Sequence, residues 1–337
     1  MLNPSLKLNE KLFNSDVEVQ PTRKGFGEGL LELGKHNENV VALCADLTES
    51  TYAHLFAQAF PERFFEVGVA EQNMAAIAAG LGVSGKIAFI SSYATFSPGK
   101  NWETIRTTCV YNQANVKIAG HHAGIMTGPD GATHQATEDI AITRCWPGID
   151  IHIPCDALEA KKATIASANK NGPVYLRYTR DKTPVITTEY TPFVPGKMQD
   201  FWVTNPTAGG PEVTIFATGY MLYYALVAAK ELEEEGFPTL VINVATIKPL
   251  DEAAIMRFTG HTKAIVTVED HQVAGGMGSA IAEFLAKTNP LPIEFIGLQD
   301  TFAESGPWQE ILEKYGMGIS AIKKAVKKVS KRKNHEV

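Results

Sequence analysis

Residues 64–85, "FFEVGVAEQNMAAIAAGLGVSG", carry an apolar, β-prone stretch straight into a helical run of small residues, with Glu71 at the joint. An acid in the first turn of a helix ordinarily does no more than complement the helix dipole. Here the run that follows is alanine, glycine, isoleucine and methionine on nearly every side, which predicts a buried helix. A carboxyl buried beside it loses water, must find a partner, and becomes suited to sharing a proton. A second constellation is "HHAGIMTGPDGATHQATEDI", residues 121–140. Two histidines end a strand, a glycine-rich loop follows, and Asp130 and His134 stand four apart before a helix. Gly128 and Gly131 permit tight or left-handed backbone around Asp130. Thr133 or His134 opens the helix, where free N–H groups favour an anion. A polar loop without metal or ligand is the plainer reading; His-x-x-x-His spacing is absent, so no zinc motif is implied. In "SSYATFSPGKNW", Tyr93 and Phe96 could close over a flat ring or serve as ordinary core aromatics. Arg23 and Arg180 are candidate clamps for phosphate or carboxylate, against a default of surface ion pairs. "GGMGSA", residues 275–280, turns tightly into a helix but lacks the lysine and spacing of a phosphate loop.

The elements that must position these residues alternate regularly. "VVALCAD", "IAFISSY", "VKIAGHH", "IDIHIP" and "PVYLRYT" read as strands. "KGFGEGLLELGKHN", "EQNMAAIAAGLG", "NWETIRTTCVYNQ", "ATEDIAITRCW" and "DALEAKKATIASANKN" read as the helices between them. Such alternation predicts an α/β fold, a doubly wound parallel sheet with helices on both faces. Residues 186–211, with four prolines and a Gly-Gly, break the rhythm as an interdomain linker. Strand and helix patterns then resume in a second, smaller α/β domain over 212–330, with "EVTIFATG", "PTLVINVA", "KAIVTVED" and "PIEFIGL" as strands. Ligands of open parallel sheets bind outside the carboxyl ends of the strands. Asp46, Glu71, Tyr93, and His121 with His122 follow successive strands of the first domain and share that edge.

The 337 residues, 45% apolar, suit two domains with separate cores. A net charge of −6 gives no electrostatic invitation to nucleic acid or anionic lipid. No run reaches the length of a membrane span and the start lacks a signal-peptide layout. The four cysteines show no CxxC spacing and read as reduced, mostly buried thiols, so a cytoplasmic location is expected. The lysine-dense end from Ile322 reads as a solvated terminal helix followed by a frayed basic tail, residues 331–337.

"FFEVGVAEQNM", "GPDGATHQATEDIA", "GPVYLRYTR" and "VTVEDHQVAGGMGSAIAE", in that order, resemble the transketolase family of thiamine-diphosphate enzymes over roughly residues 20–330. The resemblance implies an N-terminal extension (1–19), a pyrimidine-binding domain (20–185), the linker, and the family's C-terminal domain. The family's diphosphate and Mg²⁺ need a Gly-Asp-Gly with a later Asn. No such tripeptide occurs here. The chain therefore looks like the C-terminal subunit of a split transketolase, whose N-terminal subunit would hold diphosphate and Mg²⁺ in a heterotetramer. By resemblance, Glu71 hydrogen-bonds a ring nitrogen of the aminopyrimidine and drives its amino group toward the imino form. Phe96 and Tyr93 would pack on that ring, with Trp102 a guess for a third, and Asp46 would line the cofactor cleft. Arg23, Ser50, His122 and Arg180 would surround the sugar phosphate, with Arg177 a fallback. Asp130 would read a sugar hydroxyl and His134 would sit beside the reacting carbons. The implied activity is ketol transfer between ketose and aldose phosphates in the pentose phosphate pathway. The alternatives are a 1-deoxyxylulose-5-phosphate synthase-like enzyme, a 2-oxo-acid dehydrogenase β-like subunit, or a non-catalytic scaffold. Pro129, where many relatives carry an acid, and Ala132, where many carry proline, depart from the pattern.

Overall fold

The computed structural model describes residues 1–204 and 210–332. In chain order the first half runs β1 (Val19–Pro21), α1 (Thr22–His36), β2 (Val40–Cys44), α2 (His54–Ala59), β3 (Phe64–Glu66), α3 (Glu71–Val83) and β4 (Ile87–Tyr93). After an irregular helical stretch over 95–110 that includes the single turn α4 (Trp102–Thr104) come β5 (Val116–His121), α5 (Asp139–Arg144), β6 (Asp150–His152), α6 (Ala157–Ser167), β7 (Val174–Arg177) and β8 (Lys182–Pro184). The second half continues with β9 (Gln199–Trp202), β10 (Val213–Ala217), α7 (Met221–Glu234), β11 (Thr239–Asn243), β12 (Thr246–Lys248), α8 (Glu252–Thr262), β13 (Ile265–Gln272), α9 (Met277–Thr288), β14 (Ile293–Leu298), α10 (Trp308–Lys314) and α11 (Ile319–Arg332).

The five expected strands of the first domain, now β2, β4, β5, β6 and β7, lie in a seven-stranded sheet completed by β3 and β12, in the order β12-β6-β7-β5-β4-β2-β3 and parallel except for β12. β2 and β5 are buried at every position, as strands covered by helices on both faces must be. The second sheet has the order β14-β13-β10-β11-β9, parallel except for β9. A short antiparallel ribbon, β1 with β8, closes the first domain's chain ends together.

Four features differ from the sequence reading. The stretch 186–211, expected as a linker, contains β9, which pairs with β11; residues 205–209 of it lie outside the described residues. β12, in the second half of the chain, crosses to the first sheet, where Thr246 registers with His152. Helix α3 is not buried on nearly all sides. It exposes Ala76, Ile77, Gly80 and Val83 along one face, because a run of small apolar residues has no polar stripe to mark which side faces out. The lysine-rich helix α11 is not simply solvated. Ile322, Val326 and Val329 are buried against the second domain, while Lys323, Lys327 and Lys328 pair with Glu231, Glu235 and Glu294. Positions 333–337 of the expected tail lie outside the described residues. Three cysteines are buried and Cys145 is exposed, all as free thiols. Among the described residues no helix is long and apolar enough to cross a membrane.

Candidate functional site

The carboxyl ends of β2, β3, β4 and β5 lie side by side, and the residues that follow them build the candidate site. After β2 the backbone turns through Asp46 with φ +60°, a left-handed conformation. Glu66, the last residue of β3, holds that turn: its carboxylate accepts from Asp46 N (2.7 Å), Gly68 N (3.0 Å) and Thr48 Oγ1 (2.8 Å). The exposed Asp46 side chain is left facing the edge. Sequence reasoning did not single out Glu66, which lies inside the quoted "FFEVGVAEQNM".

Glu71 opens α3 and is 2% exposed. Its Oε2 accepts from Lys100 Nζ at 2.8 Å, and its carbonyl accepts from Asn101 Nδ2 at 3.0 Å. Asn101 is itself buried, with Oδ1 unpartnered among the described residues. The buried carboxyl has thus found a half-exposed lysine as its partner. Lys100 follows Phe96 by four residues in the irregular stretch after β4; it was missed because nothing in that stretch's pattern says it folds back on Glu71.

Tyr93 ends β4, and its ring lies nearly parallel to that of Phe96, with centroids 6.0 Å apart and an interplanar angle of 16°. Phe96 meets the His134 ring edge-on at 5.5 Å, and Tyr93 contacts the His122 ring at 3.9 Å. Thr95 Oγ1 donates to the His134 carbonyl, which fixes the histidine loop against the β4 end (3.0 Å). Trp102 packs instead on Trp146 at 5.5 Å and donates to the Ile142 carbonyl, so it is not a third ring beside Phe96.

One side of the site gathers the guanidinium groups of Arg23 and Arg180 with the His122 and His134 rings. Burial, followed by the charges of Arg23, Arg180 and His134, pushes the His122 imidazole down to about 3. His122 is therefore neutral, with Nδ1 buried and unpartnered among the described residues. Arg23 donates from Nη1 to the Ser50 carbonyl (2.7 Å), and its Nε is also buried without a partner among the described residues. The Ser50 contact is through backbone, not hydroxyl. Arg180 Nη1 donates to the Thr127 carbonyl (2.6 Å) and approaches Asp130 Oδ2 at 3.4 Å, so these two predicted substrate residues face one another. The orphaned Arg23 Nε–H and the open ring nitrogen of His122, with the Arg180 guanidinium near them, make a place that an anion can fill. Arg177, the fallback, is 4% exposed and bound to Asp139 at 2.8 Å, with its pKa raised; it belongs to the core. Between the two domains a hollow of 460 Å³, lined by Thr95, Gly99, Gln135, Glu138, Ile142 and Phe302, adjoins the His134 loop.

An acid at a strand end, two near-parallel rings and a cationic pocket on one edge can hold a flat heterocycle next to an anionic substrate. The transketolase pyrimidine-binding domain model matches residues 18–185 and the transketolase C-terminal domain model matches 204–322. A protein of Methanocaldococcus jannaschii named "Putative transketolase C-terminal section" is 44% identical over 308 residues, 90% of this chain and 94% of that protein. The 6-deoxy-6-sulfo-D-fructose transketolase subunit SqwH of Clostridium sp. (strain MSTE9) is 37% identical over 96% of this chain and 98% of its own. A solved structure titled as a split gene transketolase, inactive beta4 tetramer, superimposes with a TM-score of 0.85 at 42% identity, covering 93% of this chain and 99% of that one. Domain order, strand-end chemistry and near full-length similarity agree: this chain belongs to the transketolase family.

Proposed function

We propose that this chain is the C-terminal subunit of a split transketolase, carrying the proton-handling half of a thiamine-diphosphate crevice and moving a two-carbon ketol unit between sugar phosphates. The observation that carries the reading is the buried Glu71 carboxyl, tied through Lys100 to the stretch that carries Phe96, whose ring lies nearly parallel to that of Tyr93. The donor set fits the aminopyrimidine: a carboxyl for a ring nitrogen, an orphaned Asn101 Oδ1, and aromatic faces for a flat ring. When bound, thiamine diphosphate supplies the nucleophilic carbon that takes up the two-carbon unit. Glu71 holds and shares the proton at the ring nitrogen, work that a carboxyl does within hydrogen-bond reach in a dry site. Phe96 and Tyr93 orient the ring, and Asp46 lines the cleft. Arg23, Arg180 and His122 take the dianion of the sugar phosphate, Asp130 reads a hydroxyl, and His134 stands at the reacting carbons. Ser50 frames the same pocket through its carbonyl to Arg23.

The diphosphate and Mg²⁺ are assigned to a separate N-terminal subunit. The exposed face of α3, which starts at Glu71 and presents Ile77 and Val83 (64% exposed), supports a partner seated beside the acid. A relative solved as an inactive beta4 tetramer agrees with a chain that needs another to act. The relative named for a sulfosugar indicates that the anion varies within the family, since a sulfonate offers guanidinium forks the same oxygens.

The test is a coupled assay of the chain mixed with its diphosphate-binding partner, using xylulose 5-phosphate and ribose 5-phosphate. Turnover with sugar phosphates is expected, and activity with pyruvate alone rejects the reading. Glu71→Gln keeps an acceptor for Lys100 and should fold, yet lose about 10²–10⁴-fold in kcat. Unchanged turnover in that variant favours a scaffold.

A further inference from the structure

We infer that the second domain is the mould for the loop presenting His122, Asp130 and His134, with Asp270 as its positioning residue. The inference rests on the substrate-binding reading of that loop. The loop leaves the first sheet after His121, yet Ile125 and Met126, both buried, do not join the first domain's core. They pack in the apolar cluster of the second domain with Tyr220, Met221, Leu298 and Trp308. Asp270, near the end of β13, accepts from Ile125 N through Oδ1 and from Tyr220 OH through Oδ2, each at 3.0 Å. Its carbonyl accepts from Arg177 Nη2 at 2.8 Å, tying the same residue to the first domain's core. Gly124 has φ +78°, and a Cβ there would stand 1.9 Å from Asp270 Oδ2, so the loop is shaped around that carboxylate. Farther along, Gln135 Nε2 donates to the Glu304 carbonyl (3.1 Å), and Trp308 Nε1 donates to Asp181 beside Arg180 (2.8 Å).

A glycine-rich loop has many backbone states, and a binding constellation needs its members within a fraction of an ångström. The contacts above gather between His122 and Gln135 and around Arg177 and Arg180, where they set those members, and they come in addition to the seam that β12 makes with β6 at the edge of the first sheet.

Tyr220→Phe removes one donor to Asp270 without adding volume, and Gly124→Ala pushes on the same carboxylate from the loop side. In the chain assembled with its partner, each should raise KM for the sugar phosphate about tenfold, for Tyr220→Phe the effect of one lost buried hydrogen bond, and lower kcat as His134 shifts, while thiamine diphosphate affinity stays within about twofold. Hydrogen exchange over 123–135 in the full chain should speed up by a similar factor. Asp270→Asn, which keeps an acceptor for Ile125 N, should restore much of the wild-type KM relative to Asp270→Ala. A lower Tm with unchanged KM and unchanged exchange overturns the inference, as does a joint loss of kcat and cofactor binding. If the wild-type pair turns over no sugar phosphate, the functional reading falls, and the exchange measurement alone still decides the anchoring.

Discussion

At the scale of single residues, what a sequence shows is a type and a place on the chain. Glu71 was legible because an acid interrupts an apolar run where strand gives way to helix, and it is buried at a strand end. Tyr93, Phe96, His122 and His134 were legible as chemistry, and ring contacts of 3.9 to 6.3 Å gather them. Lys100 and Glu66 were not, because their partners are set by how the loops after β4 and β2 fold back, which no spacing encodes. Arg177 and Arg180, three apart, point to opposite fates for a related reason: β7 buries the first against Asp139, and the second lies past its end. The Lys100–Glu71 pair joins a carboxylate 3% exposed to an ammonium 47% exposed, so screening takes part of its strength. Lys100→Met should still cost about 1 kcal/mol in urea unfolding, since it strands a buried acid. Glu71→Gln should cost less, because the amide oxygen still accepts from Lys100. Equal stability of all three chains would mean that the pair is incidental.

Elements of ordinary length were read well, since β-branched runs and helical periods span five residues or more. Three-residue strands such as β12 and β8 have no period to find, and their pairing is decided by tertiary fit. The glycines of "KGFGEGLLELG" did not disturb the helix reading, but their reason lies elsewhere. Helix α1 crosses α6 so closely that a Cβ on Gly25 would lie 1.9 Å from the Ala157 carbonyl oxygen, and one on Gly29 would meet Thr164 at 2.9 Å. Gly25→Ala should therefore destabilise by about 2 kcal/mol or more, because neither backbone can yield without unpacking the first domain's outer layer. Gly80, on the exposed face of α3, is the control: among the described residues nothing lies within 4 Å of its added Cβ. Gly80→Ala should stabilise the isolated chain by about 0.5–1 kcal/mol through helix propensity alone. Thermal unfolding of the two variants gives opposite signs if α3 is bare and the α1–α6 crossing is tight.

For the whole molecule, two domains were readable but their interlocking was not. The N-terminal segment packs Leu8 and Leu12 into the second domain's core, β12 returns to the first sheet, and Ile125 and Met126 reach the other way. Each exchange is made by a few residues whose local pattern is silent about destination. The locking strand β12 registers on His152, a histidine 1% exposed with both ring nitrogens unpartnered among the described residues and the Phe193 ring 5.9 Å away. Burial, with Lys117 and Lys170 adding to it and Asp150 opposing, pushes its imidazole down to about 4. Unfolded, the same side chain titrates near 6.5. Between those values the unfolded chain binds a proton that the folded chain refuses, so this residue weakens folding as pH falls from about 6.5 to about 4. The full effect is about 3 kcal/mol. Buried Glu159 and Glu269, pushed up to about 7 chiefly by burial, act in the opposite sense over an overlapping range, since folding loses their contribution as pH rises. The total pH slope is therefore a poor measure of any one group, and the difference between wild type and His152→Leu is the better one. The leucine fills a comparable volume without a titrating nitrogen, so its advantage over wild type should grow as pH falls from 6.5 to 4, read by urea unfolding at each pH. A constant difference across that range would mean that His152 accepts its proton inside the folded chain, and that the β12–β6 seam is open to water.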